Sequence, residues 1–153
     1  MERVGVLFVC LGNICRSPMA DGLFQDRVQR DGVAGRFVVE SAGTAAYHVG
    51  ELADPRTREV LQRRGIDLRS RARRVADDDF ERFDWILAMD GSNLSNLRRR
   101  CPAQHDHKLH RVLDPLGGGD VDDPYYGGSS GFDRNCDQLL EAFDHWLPRM
   151  LGP

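Results

Sequence analysis

Cys10 stands ahead of Arg16 with five residues between them, in the stretch Val9-Cys10-Leu11-Gly12-Asn13-Ile14-Cys15-Arg16-Ser17-Pro18. A cysteine thiolate is an intrinsically strong nucleophile, and a guanidinium offers a planar fork matched to two oxygens of a phosphate. Gly12 and Asn13 are residue types that tolerate positive φ, which lets successive backbone N–H groups curl inward as an anion nest. Together these residues predict a loop that holds an oxyanion and aims a sulfur at its centre. The fields that hold the anion also stabilise the thiolate, which can attack phosphorus in line. Loop N–H groups and Arg16 would then stabilise the equatorial oxygens of the transition state. Ser17 can donate a hydrogen bond towards the sulfur when Cys10 becomes the leaving group. Without these companions Cys10 would read as an inert, buried strand residue. A nucleotide-binding loop fits less well, because no Gly-Lys-Ser/Thr follows.

Such chemistry also needs a proton for the departing oxygen. The stretch Asp122-Asp123-Pro124-Tyr125-Tyr126-Gly127 offers one from Asp123. Pro124 restricts the residue before it to extended conformations and so fixes how the acid is aimed. Two aromatic rings beside an acid suit a wall that receives a flat aromatic group. Taken alone, the same residues describe an ordinary surface turn.

The elements that must position these groups follow from periodicity. Val4 to Val9 is a nearly continuous apolar run, as expected of a central parallel strand covered on both faces. Ser17 as N-cap and Pro18 at the first helical position open a helix with Met19, Leu23, Phe24 and Val28 as its apolar stripe. Phe37 to Val39 is a second strand, ending at Ser41-Ala42-Gly43-Thr44. Asp54-Pro55 starts a helix through Val60 and Leu61 that stops at Gly65. Phe83 to Met89 is a third strand, and Ser92 caps a helix through Leu94 and Leu97 to Arg100. His110 to Leu113 is a short fourth strand. A loop runs from Gly117 to Gly131, and Phe132 to Leu151 closes the chain as a helix. Strands alternating with helices predict an α/β domain, doubly wound in three layers, with a four-stranded parallel sheet and helices on both faces.

Composition sets the frame. The 153 residues form a single domain, residues 1–153, without an internal repeat or linker. A chain this long buries roughly 70% of its unfolded surface and needs neither disulfide nor metal to fold. A net charge of −3 gives no reason to expect nucleic acid as a partner. The arginines at 69, 71, 73, 74 and 98–100 read as solvated faces, some of which could attract phosphorylated substrates. The apolar run near the N-terminus is too short to span a membrane, and the protein is expected in the cytoplasm. Four cysteines are too few for a disulfide scaffold. Cys101, His105, His107 and His110 could be imagined as a metal site, but their spacing matches no familiar finger, and no metal or other cofactor is expected.

The segment VCLGNICRSPMADG together with Asp123-Pro-Tyr-Tyr-Gly closely resembles the low-molecular-weight protein tyrosine phosphatases. Glu40-Ser41-Ala42-Gly43-Thr44, Asp54-Pro55 and Met89-Asp90-x-x-Asn93-Leu94 resemble further family segments in family order, so the likeness spans essentially the whole chain. It implies hydrolysis of phosphotyrosine and small aryl phosphates through a phosphocysteine, with a tyrosine-phosphorylated protein as partner. By the same resemblance Cys10 is the nucleophile, Arg16 binds phosphate and Asp123 is general acid and then base. Leu11, Gly12, Asn13, Ile14, Cys15 and Ser17 complete the phosphate-binding loop. Asn13 and Ser41 resemble residues that hold it in shape, and Leu11, Ile14, Tyr47, Tyr125 and Tyr126 would line the substrate cleft. Two positions depart from the pattern: Tyr47 stands where the family often has tryptophan, and Ser70 stands where some members carry a histidine that braces the loop.

Several alternatives stay open. Cys15 is either a packed thiol or, by the resemblance, a partner for a reversible disulfide that makes the enzyme redox-sensitive. Arsenate reductases share the fold, but the thioredoxin-coupled ones use a closely spaced downstream cysteine pair, whereas Cys101 and Cys136 lie far apart. Family members acting on phosphoarginine are associated with threonine at the position of Ile14, so isoleucine favours phosphotyrosine. The chain is expected as a monomer or weak dimer.

Overall fold

The computed structural model describes residues 2–124 and 129–152. The apolar run becomes strand β1, Val4–Cys10. Side chains alternate across it: Val6, Phe8 and Cys10 enter one core, Leu7 and Val9 the other. Burial on both faces is why the run lacks the polar alternation of a half-exposed strand.

Strands β2 (Phe37–Gly43), β3 (Trp85–Ala88) and β4 (Leu109–Arg111) join β1 in a parallel sheet of order β2-β1-β3-β4. Helices α1 (Arg16–Arg30), α2 (Pro55–Arg63) and α5 (Ser129–Leu151) cover one face. Helices α3 (Asp79–Arg82) and α4 (Gly91–Arg100) cover the other. After β1 the chain crosses to β2 on one side and then returns to β3 on the opposite side. That reversal makes the carboxyl end of β1 the topological switch point, where open α/β sheets leave a crevice for ligands. An aromatic cluster fastens α1 and α5 to β1. The Phe24 ring lies 5.6 Å from Phe8 and 5.1 Å from Phe143, the latter edge-on.

The expected doubly wound architecture is present, with local corrections. Ser17 does not cap α1. The helix starts at Arg16 after Cys15, no side chain caps it, and its first turn carries no acid. A capping oxygen would sit where an anion would otherwise meet the free N–H groups. Asp90, not Ser92, caps α4, its carboxylate accepting from Asn93 N at 2.7 Å. The third strand begins at Trp85 rather than Phe83, since Asp84 accepts from Gly5 N through its carboxylate at 2.8 Å. The fourth spans Leu109–Arg111 rather than 110–113, and α5 already begins at Ser129.

Register sets Cys10 opposite Gly43 and Val9 opposite Ala88. Gly43 has no room for a side chain: a Cβ there would lie 2.7 Å from Leu11 O and 3.2 Å from Asn13 N, both backbone atoms. Gly43→Ala is therefore expected to cost about 1–3 kcal/mol, the range for overpacking a tight site. Thermal unfolding measures this, and an unchanged midpoint would show that the 11–13 segment yields freely.

Candidate active site

The loop between β1 and α1 is pinned from outside by its carbonyls. Cys10 O accepts from Thr44 N at 2.9 Å, Leu11 O from Ala45 N at 3.0 Å and Ile14 O from Asp54 N at 2.8 Å. In a trans peptide C=O and N–H point in opposite directions. Turning these carbonyls outward turns the N–H groups of Leu11, Gly12 and Cys15 towards the concave side. Asn13 makes the bend at φ 57°, the only non-glycine residue with positive φ among those described. Gly12, expected to share that conformation, does not. Its requirement is space, because a Cβ would come within 3.0 Å of the His48 ring.

The orientation of the Asn13 amide behind the loop is set by the backbone. Arg73 N is a backbone donor and reaches Asn13 Oδ1 at 2.9 Å, which fixes the amide orientation. Asn13 Nδ2 then donates to Ser17 Oγ at 2.8 Å and to Ser41 Oγ at 3.0 Å. Cys10 Sγ lies 2.9 Å from Ser17 Oγ, and the Ser17 proton goes to it when the sulfur is a thiolate, Ala42 O at 3.4 Å being the other acceptor within reach. Asn13 N also donates to Cys10 Sγ at 3.2 Å. As a thiolate the sulfur therefore accepts two hydrogen bonds, from Ser17 Oγ and Asn13 N. Asn13, Ser17 and Ser41 are all buried. Ser70, where a histidine brace was lacking, lines a separate cavity beside Asp21, and the backbone of Arg73 holds Asn13 instead.

Arg16 is 5% exposed, and both of its described bonds fall on one nitrogen: Nη1 donates to Asp90 at 2.8 Å and to Val121 O at 2.9 Å. Asp90 uses its other oxygen to cap α4, so one carboxylate ties the arginine to that helix. Val121 N donates in turn to Met89 O at 2.8 Å. The segment carrying the candidate acid is therefore anchored to the arginine itself, two residues before Asp123. Asn135 of α5 holds it from the far side, donating to Asp122 O at 2.8 Å.

Cys10, Leu11, Gly12, Ile14, Cys15 and Arg16 line an open pocket of about 300 Å³ with Tyr47, His48 and Asp123. Although Cys10 is only 3% exposed, this pocket keeps it accessible. Tyr47 is 75% exposed at the rim, with Leu11 and Val49 also exposed. Tyr125 and Tyr126 lie outside the described residues.

Cys15 is buried beside the nucleophile. Burial, reinforced by the Asp54 carboxylate, pushes its thiol up to about 12. Cys136 is wholly buried in the core and Cys101 sits at the end of α4, so neither lines this pocket. Among the described residues no group of three or more His, Cys, Asp or Glu is arranged to hold a metal, and His110 packs against Trp85 and Trp146. Several of the arginines are engaged internally: Arg73 with Asp79 and Glu40, Arg100 with Val75 O, Arg71 with Gly50 O. Among the described residues no helix is long and apolar enough to cross a membrane.

Sequence reading missed the parts that act from a distance. Asp90, Asn135, His48 and the backbones of Arg73 and Val121 come from elements far from residue 10 in sequence. An acid at the carboxyl end of the strand beside β1 was the one available signal, and it points to Asp90.

Comparison with known proteins agrees with this geometry. Residues 5–151 match the family model for low molecular weight phosphotyrosine protein phosphatase. The chain is 45% identical over 150 residues to the low molecular weight phosphotyrosine protein phosphatase of Schizosaccharomyces pombe, covering 95% of this chain and 96% of that protein. It superposes on a crystal structure of protein tyrosine phosphatase from Entamoeba histolytica with a TM-score of 0.90, at 41% identity and 94% coverage of both chains. A structure described as YwlE arginine phosphatase is also similar, with a TM-score of 0.87, 28% identity and 95% coverage of both chains. The chain therefore belongs to the low molecular weight phosphotyrosine protein phosphatase family, whose members are hydrolases of phosphate monoesters.

Proposed function

We propose that this phosphatase hydrolyses phosphotyrosine and small aryl phosphates in two steps through a phosphocysteine on Cys10, without a metal. The observation that carries the reading is the shared pocket: a sulfur within hydrogen-bond reach of Asn13 N and Ser17 Oγ, an anchored guanidinium and a carboxylic acid all face one cavity. In the first step Cys10 Sγ attacks phosphorus and the bond to the phenolic oxygen breaks. Asp123 gives its proton to that oxygen. In the second step the Asp123 carboxylate takes a proton from water, whose oxygen attacks phosphorus. The S–P bond breaks, and its electron pair returns to sulfur beside the Ser17 hydroxyl. Because Nη1 of Arg16 is held by Asp90 and Val121, the other edge of the fork faces phosphate oxygens with little orientation left to lose.

The substrate reading rests on the rim. Exposed Tyr47 and Leu11 offer apolar surface to an aromatic ring, and Ile14 places an alkyl group, not a hydroxyl, in the pocket. The partner is a tyrosine-phosphorylated protein, met by one domain acting as a monomer or weak dimer. Four free cysteines suit a reducing, cytoplasmic setting. The internal engagement of the arginines fits the absence of a nucleic-acid role. Cys15, beside Cys10 in the same pocket, serves as a resolving thiol: peroxide oxidises Cys10 to a sulfenic acid, and attack by Cys15 releases water and closes a disulfide.

Metal-free assays with an aryl phosphate test the mechanism. Cys10→Ser should abolish turnover, and Asp123→Asn should lower kcat by about 10²–10⁴. A Cys10→Ser protein retaining parental turnover would refute the assignment. Asp90→Ala should lower kcat/KM at least about tenfold, since it frees a charge-paired guanidinium, and should also lower stability by about 1 kcal/mol through the lost cap. Phosphotyrosine peptides should be cleaved faster than phosphoarginine peptides, and the reverse order would change the substrate class. After peroxide treatment, Cys15→Ser should regain less activity with added thiol than the parent, whereas equal recovery would exclude a resolving role.

A further inference from the structure

A second cavity, of about 590 Å³, is lined by three arginines, Arg58, Arg69 and Arg71. Half-buried Leu52, Ile66 and Leu68 supply its apolar surface. Asp67 is the acid among the lining residues, so positive charge is in excess there although the whole chain carries −3. The guanidinium groups are held in place without being saturated. Arg71 donates from Nη1 to Gly50 O at 2.8 Å, and Arg58 from Nε to Ala53 O at 3.1 Å. Among the described residues neither has a second hydrogen-bond partner. Arg69 donates from Nε to Asp67 at 2.7 Å, but these side chains are 85% and 72% exposed, and such a pair is weak.

Arg58 also breaks a local rule. It stands in the first half of α2, and its bond to Ala53 O brings a guanidinium back to the helix end where the dipole disfavours a cation. The acid at that end, Asp54, is taken by Nε and Nη2 of Arg56, each at 3.1 Å. An anion in the groove would offset this unfavourable placement.

One backbone unit carries both the groove and the rim of the catalytic pocket. Tyr47 and His48 line the pocket, and Leu52 lines the groove. Gly50 N donates to Ala72 O at 2.8 Å and Ala72 N to Glu51 O at 2.8 Å, which pairs Leu52 with Arg71. Glu51, the acid of this stretch, places its carboxylate 2.6 Å from His48 Nδ1. From residue 48 to residue 52 the chain spans at most about 14 Å. A peptide with its phosphotyrosine in the pocket therefore brings residues about three to six positions away to the arginines.

We propose that this groove docks an acidic segment of the tyrosine-phosphorylated substrate protein, its carboxylates pairing with Arg58, Arg69 and Arg71. The inference rests on the phosphatase reading and adds to it which phosphoproteins the enzyme prefers. A guanidinium fork matches a carboxylate at two points, and the leucine and isoleucine side chains beside it receive the apolar residues between the acids.

Two phosphotyrosine peptides test this, one with glutamates about three to six positions from the phosphotyrosine on both sides, the other with glutamines there. The parent should cleave the acidic peptide with roughly fivefold higher kcat/KM, the sum of a few exposed pairs, seen as a lower KM. That ratio should shrink as salt rises from about 0.05 to about 0.5 M. In Arg69→Gln/Arg71→Gln protein it should fall close to one, while turnover of a small aryl phosphate stays at the parental value. Arg69→Lys/Arg71→Lys keeps the charge and should retain most of the preference, which separates charge recognition from a disturbed loop. Equal kcat/KM for the two peptides with the parent, or a preference that survives the double glutamine variant, would overturn the proposal. So would a preference carried by kcat alone, since it would place the glutamates at the reacting centre. A uridine oligomer that binds the parent and not the glutamine variant would assign the groove to nucleic acid and overturn it too. Absence of aryl phosphate turnover by the parent would instead sink the phosphatase reading, so the two failures are distinguishable.

Discussion

A single backbone N–H, that of Arg73, sets the polarity of the catalytic loop. It can only donate, so the oxygen of the Asn13 amide must face it and the nitrogen must face Ser17 and Ser41. With that choice made, the Ser17 hydroxyl has its proton free for a thiolate at Cys10. Reversing the amide would oppose two donors at Arg73 and turn an acceptor on the serines. Buried groups mispaired in this way cost about 1–3 kcal/mol each, which keeps the network in one state. The chemistry at sulfur depends on this frame as well as on the cysteine.

The fold supplies the rest by converging ends. Parallel register brings the carboxyl ends of β1, β2 and β3 to one edge of the sheet, with Cys10 at the central one. β2 contributes Ser41 and the tight approach at Gly43, while the turn after β3 contributes Asp90. Asp90 spends one oxygen on the start of α4 and the other on Arg16, and Val121 returns a carbonyl to the same guanidinium nitrogen. Phosphate binding and placement of the acid segment are thus mechanically linked through Arg16. A shift of the segment at 121–123 would be felt at the arginine directly.

How much of this was legible in the sequence depends on range. Cys10, Arg16 and the loop between them were readable because their chemistry is local: residue type and spacing along a strand–loop–helix unit state it. The buried central strand followed from a nearly continuous apolar run and the parallel sheet from strands alternating with helices, whereas the strand order β2-β1-β3-β4 came only from the structure. Ser17 was misread as a helix cap because a hydroxyl before proline satisfies that rule equally well; its other expected partner, Cys10 Sγ, lies 2.9 Å away. Gly12 was credited with an unusual dihedral when its need is clearance from His48, a residue far along the chain. Arg73 was grouped with surface charge, yet its backbone N–H is what orients Asn13, and backbone roles leave no mark on residue type.

The central claim is that Cys10 carries the phosphoryl group between two chemical steps. Asp123→Asn protein mixed with an aryl phosphate and quenched in acid during turnover allows this to be read by peptide mass spectrometry. The account predicts one added phosphoryl group on the peptide containing Cys10, released from it as inorganic phosphate with continued incubation. Turnover with that peptide unmodified at every time point, or with the phosphoryl group on another residue, would contradict it.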